Sequence, residues 1–357
     1  MKNFLLLTAM TVTFAINAQC PTGELNFTTQ AQVDNFIIQY PNCTEVDGDI
    51  GISGNNITNL EGLSNLVSIS GALEIRNTGN LASLNGLENL VSVGTDLIIR
   101  SNASLTDIEG LSSLTTVGGE FTVRSCAALL SLHGIENLES VGLALIIRDC
   151  GLLTNLDALS GVTFVGETLE IVGNALLVSV SGLSNVATIV GGEEGAVVIE
   201  ENEILATLEG FGNADTTITG GLFIGLNNLL AFCSVPSICN YLDNPPAGAS
   251  VDIGLNITGC NSVAEVQAAC GVMSAEYFDA GRIAFRVLQN PVQETLAIHN
   301  AIAGEGTIEV YDAMSKKVLS GKMKNGLNYY TLNAGPGIYF VKMECDGKTD
   351  FAKIVKQ

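Results

Sequence analysis

Between Gly48 and about Leu230 one unit of roughly two dozen residues recurs eight times, and no other property limits the fold of this chain as tightly. The segments Leu73-Glu74-Ile75-Arg76, Leu97-Ile98-Ile99-Arg100, Phe121-Thr122-Val123-Arg124, Leu145-Ile146-Ile147-Arg148 and Leu169-Glu170-Ile171-Val172 place their third residues at 75, 99, 123, 147 and 171, an unbroken step of 24. Ile52 lies 23 earlier, Ile199 lies 28 later and Ile224 lies 25 beyond that. A period between about 20 and 50 residues marks a stacked architecture, in which each unit buries its apolar face only against its neighbours.

Within a unit the apolar positions run Leu97, Ile99, Leu105, Ile108, Leu111, Leu114, Val117, with Asn102 at the bend. Alternation at 97 and 99 predicts a short strand with both side chains inward. The spacing of three that follows fits neither a strand nor a helix and predicts a returning arc. Serine, threonine, valine and glycine dominate that arc, so a second short strand is expected there instead of a helix. Glycines recur in register at Gly86, Gly110 and Gly134, and again at Gly94, Gly118 and Gly142, as corners or close coil contacts require. The expected fold is mainly β: a right-handed parallel β-solenoid, about 43 Å long if nine coils stack at the interstrand spacing of roughly 4.8 Å.

Two ladders follow from the period. Three residues beyond the last inward strand position stand Asn55, Thr78, Asn102, Cys126, Cys150, Asn174, Asn202 and Asn227, where an inward amide can satisfy backbone groups freed by the bend. Cys126 and Cys150 share this slot, either as small buried residues or as a cross-coil disulfide. The second ladder is Arg76, Arg100, Arg124 and Arg148, facing outward from the strands. Four like charges one coil apart repel, so they are either offset by nearby acids or form a ligand-binding stripe. Ile98 and Ile146, expected to be exposed beside them, would add an apolar component to such a stripe.

At the amino terminus, the basic tip Met1-Lys2-Asn3, the apolar run Phe4 to Ile16 and Asn17-Ala18-Gln19 read as a signal peptide over residues 1–18. Gln19 stands where a lipoprotein site needs a small residue, so lipidation of Cys20 is not expected. No other stretch is long and apolar enough for a membrane span. Charge then divides the chain: residues 19–281 hold 30 Asp or Glu and only the four ladder arginines, whereas residues 283–357 hold 9 Lys or Arg and 7 Asp or Glu. Two domains are therefore expected, a solenoid over 19–272 and a second domain over 283–357, joined by a linker at 273–282. So negative a solenoid repels nucleic acid and anionic membrane surfaces.

A solenoid needs closed ends, because an open coil exposes core and strand edge. Val33, Phe36, Ile37 and Tyr40 lie at helical spacing within Gln30 to Tyr40, and a Cys20 to Cys43 disulfide would staple that helix over the first coil. Beyond Leu230 come Cys233, Cys239, Cys260 and Cys270, whose spacing leaves three pairings open. Ser262, with Glu265 three residues later, predicts the start of a closing helix.

The run Leu81-Ala82-Ser83-Leu84-Asn85-Gly86-Leu87-Glu88-Asn89-Leu90-Val91-Ser92-Val93-Gly94, followed by Leu97-x-Ile99-x-x-Asn102 and bounded by cysteine-bearing caps, resembles the receptor L-domain family of growth factor receptors and microbial surface proteins. The resemblance covers about residues 43–272 and implies a leucine-rich solenoid used for binding or surface roles, without catalysis. After Met273 the period ends, and alternating segments such as Thr307 to Tyr311 and Ile338 to Met343 predict about seven strands of a small β-sandwich. This part resembles the C-terminal sorting domain of type IX secretion substrates of Bacteroidetes. The matching positions are Asn290-Pro291, Val310-Tyr311-Asp312, Gly335-Pro336-Gly337-Ile338-Tyr339 and Lys353-Ile354-Val355-Lys356, although Gln289 stands where a proline usually precedes Asn-Pro. That resemblance implies the type IX secretion machinery as partner and delivery across the outer membrane, often with removal of the tail and attachment of the remainder to the surface.

Signals for chemistry are few. The two histidines, His133 and His299, fall in different domains, and His133 beside Gly134 reads as a surface turn residue. Neither a metal-ligand cluster nor a phosphate loop is present, so no metal and no cofactor is expected. The expected function is a non-catalytic surface or secreted module with a glycan or protein ligand; the competing expectation is a structural surface component without a specific ligand.

Overall fold

In the computed structural model, residues 20–191, 195–277, 285–287, 292, 294–300, 306–312, 316–345 and 348–356 are described. The expected signal peptide lies outside these residues, as do Asn290 and Pro291. The chain divides into two compact units, Met1–Cys270 and Gly271–Gln357.

In the first unit ten strands, from Leu25–Phe27 to Val251–Gly254, pair in chain order as one parallel sheet. Successive coils stack without slippage: Leu97 lies opposite Phe121 and Ile99 opposite Val123. Period-two alternation drives this, since Leu97, Ile99, Phe121 and Val123 are all fully buried while the residues between them turn outward. The returning arc forms a second parallel sheet of eight two-residue strands, from Glu45–Val46 to Thr217–Ile218. Between the sheets Leu105, Ile108, Leu111 and Leu114 project inward at every third residue, with short 3-10 turns such as Glu109–Leu111. Coils approach so closely that a Cβ at Gly142 would lie 2.0 Å from the Gly118 carbonyl oxygen, which explains the recurrent glycine of the arc.

From Leu73–Arg76 onward each long strand ends in a left-handed corner, held in the first four of these coils by Asn77, Ser101, Ser125 and Asp149 at φ values of 53° to 56°. Short polar side chains tolerate this conformation better than most. The corner turns the next residue inward and builds the amide ladder. Asn174 Nδ2 donates to the Ile147 carbonyl at 2.9 Å and Asn174 Oδ1 accepts the Cys150 N–H at 3.0 Å, a pattern repeated by Asn202, Asn227 and Asn256. Cys126 and Cys150 are free, buried thiols in the same column, not a disulfide.

Helix α1, Gln30–Gln39, closes the first coil with Val33 and Phe36 buried, a Thr29/Gln32 capping box and the Cys20–Cys43 disulfide. At the other end helices α2, Pro236–Asp243, and α3, Val263–Tyr277, are tied by the Cys239–Cys270 disulfide, and Cys233–Cys260 joins the segments that precede them. Helix α2 was not foreseen, and α3 continues through Tyr277 into the segment expected to be a linker.

The second unit carries a three-stranded and a four-stranded antiparallel sheet. Leu296 and Ile298 of one sheet share a core with Ile308, Val310, Val341 and Met343 of the other. Cys345 is buried in that core as a free thiol.

Candidate functional site

The outward face of the long sheet is ordered by register. One column reads Glu74, Ile98, Thr122, Ile146, Glu170, and the column beside it Arg76, Arg100, Arg124, Arg148, Val172. The strands thus bring the four arginines into one line, one coil apart. Glu74 bridges two of them: its carboxylate lies 3.1 Å from Arg76 Nε and 2.8 Å from Arg100 Nη2. Arg148 Nη1 reaches forward to Glu170 at 2.7 Å, and its Nε lies 3.6 Å from Asp149. The bond from Glu170 holds the Arg148 guanidinium above its already high ordinary pKa.

The middle of the line differs. Arg124 is exposed and has no ion pair among the described residues, because the acid facing its neighbours is replaced by Thr122 between Ile98 and Ile146. Thr122 itself is buried and donates its hydroxyl to the Glu120 carboxylate. Ile98 and Ile146 are half-buried instead of exposed, since the side chains of the sheet face pack along their columns. The face therefore presents an uncompensated guanidinium between two paired ones, beside aliphatic surface. Pairing of Arg76, Arg100 and Arg148 with acids two residues away along the strand or one coil over was legible only after the register was known.

Elsewhere the site inventory is sparse. His133 is exposed, and its Nδ1 lies 2.6 Å from Glu136, which raises the imidazole pKa. Among the described residues no group of three or more His, Cys, Asp or Glu could hold a metal ion.

In the second unit the expected sorting residues gather at one end of the four-stranded sheet. Asp312 lies opposite Tyr339 and Gly337 opposite Lys356, with Lys353 opposite Phe340 further along. The Tyr339 ring is buried and its hydroxyl donates to the Gly335 carbonyl at 2.7 Å, closing the Gly335–Gly337 turn under the ring. Asp312 Oδ1 accepts the Lys316 N–H at 2.9 Å, joining the ends of two paired strands. Lys356 is largely buried at the end of its strand. Val292, next to the undescribed Asn290 and Pro291, joins this end through its N–H to the Val355 carbonyl at 2.7 Å.

Fold and face together define a disulfide-capped parallel β-solenoid of leucine-rich coils followed by a small antiparallel β domain. Residues 42–106 match the Receptor L domain family, and residues 287–357 match the Secretion system C-terminal sorting domain family. The first match spans the opening coils, and the later coils repeat their strand geometry through Val251–Gly254. The second implicates the type IX secretion machinery and indicates secretion with attachment at the outer cell surface. No curated protein matches the chain. Among the described residues no helix is long and apolar enough to cross a membrane.

Proposed function

We propose that the solenoid is a non-catalytic binding module, exported by way of residues 283–357 and contacting an extracellular glycan or protein through the arginine face. The observation that carries this reading is Arg124: among the described residues, acids pair with Arg76, Arg100 and Arg148 and none with the arginine between the last two. A scaffold that merely balanced its own charge would pair the fourth arginine as it pairs the other three. A free guanidinium fork instead offers directional donors to a carboxylate or other anionic oxygen. Ile98 and Ile146 flank it as aliphatic contact surface, and Arg100 and Arg148 are held in fixed positions around it by their acids. For export, the residues proposed to carry the sorting signal are Asn290, Pro291, Asp312, Gly335, Gly337, Tyr339, Lys353 and Lys356.

One observation favours the competing reading of a structural surface component, namely that three of the four ladder charges are neutralised within the face. Binding of the full mature chain to a glycan array and to intact cells separates the two. Saturable binding that is lost on Arg124→Glu supports the module. Absence of binding in both formats would leave the structural role standing.

A further inference from the structure

A second surface lies along the turn that directly follows the long strands and extends past the end of the arginine line into the later coils. In the early coils this turn carries Asn80 and Ser104, but in later coils the same column carries Leu152, Leu176 and Leu229, exposed by 42%, 41% and 49%. Next to Leu229 the left-handed corner, held by Asn77, Ser101, Ser125, Asp149, Gly173 and Glu201 on the preceding coils, passes to Leu226 and Leu255, at φ 57° in both, with Leu255 exposed by 71%. Leucine has no local hydrogen bond to offer there and its Cβ is crowded, so the conformation is disfavoured. Ile257, exposed by 43%, completes the strip. Neither solubility nor folding accounts for two strained, solvent-facing leucines on adjacent coils, and strain of this kind concentrates at functional positions.

The charge around the strip is predominantly negative, with Arg148 at its start paired to Asp149 and Glu170. Residues 149–281 contain 16 Asp or Glu and no Lys or Arg. Glu200, Glu201 and Asp252 crowd the last strands, and burial followed by these neighbours pushes the Glu200 carboxyl above its usual range. A second copy of this region would bring acid against acid, and an anionic membrane would be repelled in the same way.

We propose that this strip is a docking surface for a cationic amphipathic protein segment, one that lays aliphatic side chains on the leucines and Lys or Arg against the surrounding carboxylates. It does not depend on the arginine face or on what that face binds.

The test is titration calorimetry of the full mature chain with a helical peptide of Leu and Lys only, its leucines at i, i+3, i+4 and i+7, and with a scrambled peptide of the same composition. The patterned peptide is expected to bind more tightly than the scrambled one, with affinity that falls as salt rises. Leu226→Asn with Leu255→Asn is expected to weaken it by on the order of tenfold. The same double variant should melt at an equal or higher temperature, because asparagine accepts the left-handed corner that leucine resists. Equal binding of both peptides, wild-type affinity in the double variant, or a lowered melt would each overturn the proposal. So would a dimer of the wild-type chain that the double variant dissociates, since the occupant would then be a second copy.

Discussion

Asn202 holds Asn174 across one coil boundary: its Oδ1 accepts the Asn174 backbone N–H at 3.1 Å while its Nδ2 donates to the Ile171 carbonyl at 2.8 Å. Both partners are buried, so Asn202→Ala would leave the Asn174 N–H without its bond and take one donor from the Ile171 carbonyl. The expected loss is about 1–3 kcal/mol. Urea unfolding of the variant checks this, and a loss under about 0.5 kcal/mol would place the amide outside the stabilising framework.

At Cys126 and Cys150 sulfur replaces the amide, with weak contacts of 3.9 Å to the Ile99 and Val123 carbonyls. The hydrogen bond with Cys126, and then burial, push the Cys150 thiol well up, so it stays protonated. Both thiols should resist alkylation in the native protein and react on unfolding, as mass spectrometry would register. Cys150→Asn should be at least as stable as the parent, because asparagine fills the same slot at Asn174 and Asn202 with stronger bonds.

Glu200 sets a pH dependence. Burial is the first cause of its raised carboxyl pKa, ahead of Glu201, Asp252 and Glu170. The folded state therefore holds this proton more tightly than the unfolded state, and the penalty of ionising it grows as pH rises above the ordinary value of 4.5 toward the raised one. Glu200→Gln should be more stable than wild type at about pH 7 and equal to it near about pH 4. Thermal melts at both values decide it, and a gap that does not close at the lower pH would contradict the assignment.

Much of the fold was legible because the solenoid writes its period directly: a residue such as Ile99 must sit over Val123, and one-residue slippage would turn every leucine outward. The amide column was legible for the same reason. Less visible was the left-handed corner, occupied by Asn77, Ser101, Asp149, Glu201 and Leu226, a set with no shared side-chain chemistry. Helix α2 also escaped notice, since Pro236–Asp243 is short and follows the break in the repeat. The arginine line could be read from sequence, but not its asymmetry. That depends on Glu74 and Glu170 standing at the two ends of a neighbouring column whose centre is Thr122.

Export rests on the second unit. Deleting residues 283–357 should leave the solenoid behind the outer membrane, measured by immunoblotting of periplasmic, surface and medium fractions. Unchanged surface levels of the truncated chain would remove the sorting role from Asp312, Tyr339 and Lys356.

The arginine face is proposed to recognise a ligand through Arg124, the one guanidinium of the line with no acid partner among the described residues. Titration of Arg124→Glu and of Arg76→Glu against the strongest glycan or cell-surface hit, with thermal melts of each, tests it most directly. Arg124→Glu should lose binding by at least about tenfold with little change in the melt, since an exposed unpaired side chain contributes little to folding. Arg76→Glu, at the edge of the line and sharing Glu74 with Arg100, should cost about 0–1 kcal/mol of stability and retain most of the binding. Wild-type affinity in Arg124→Glu would contradict the account.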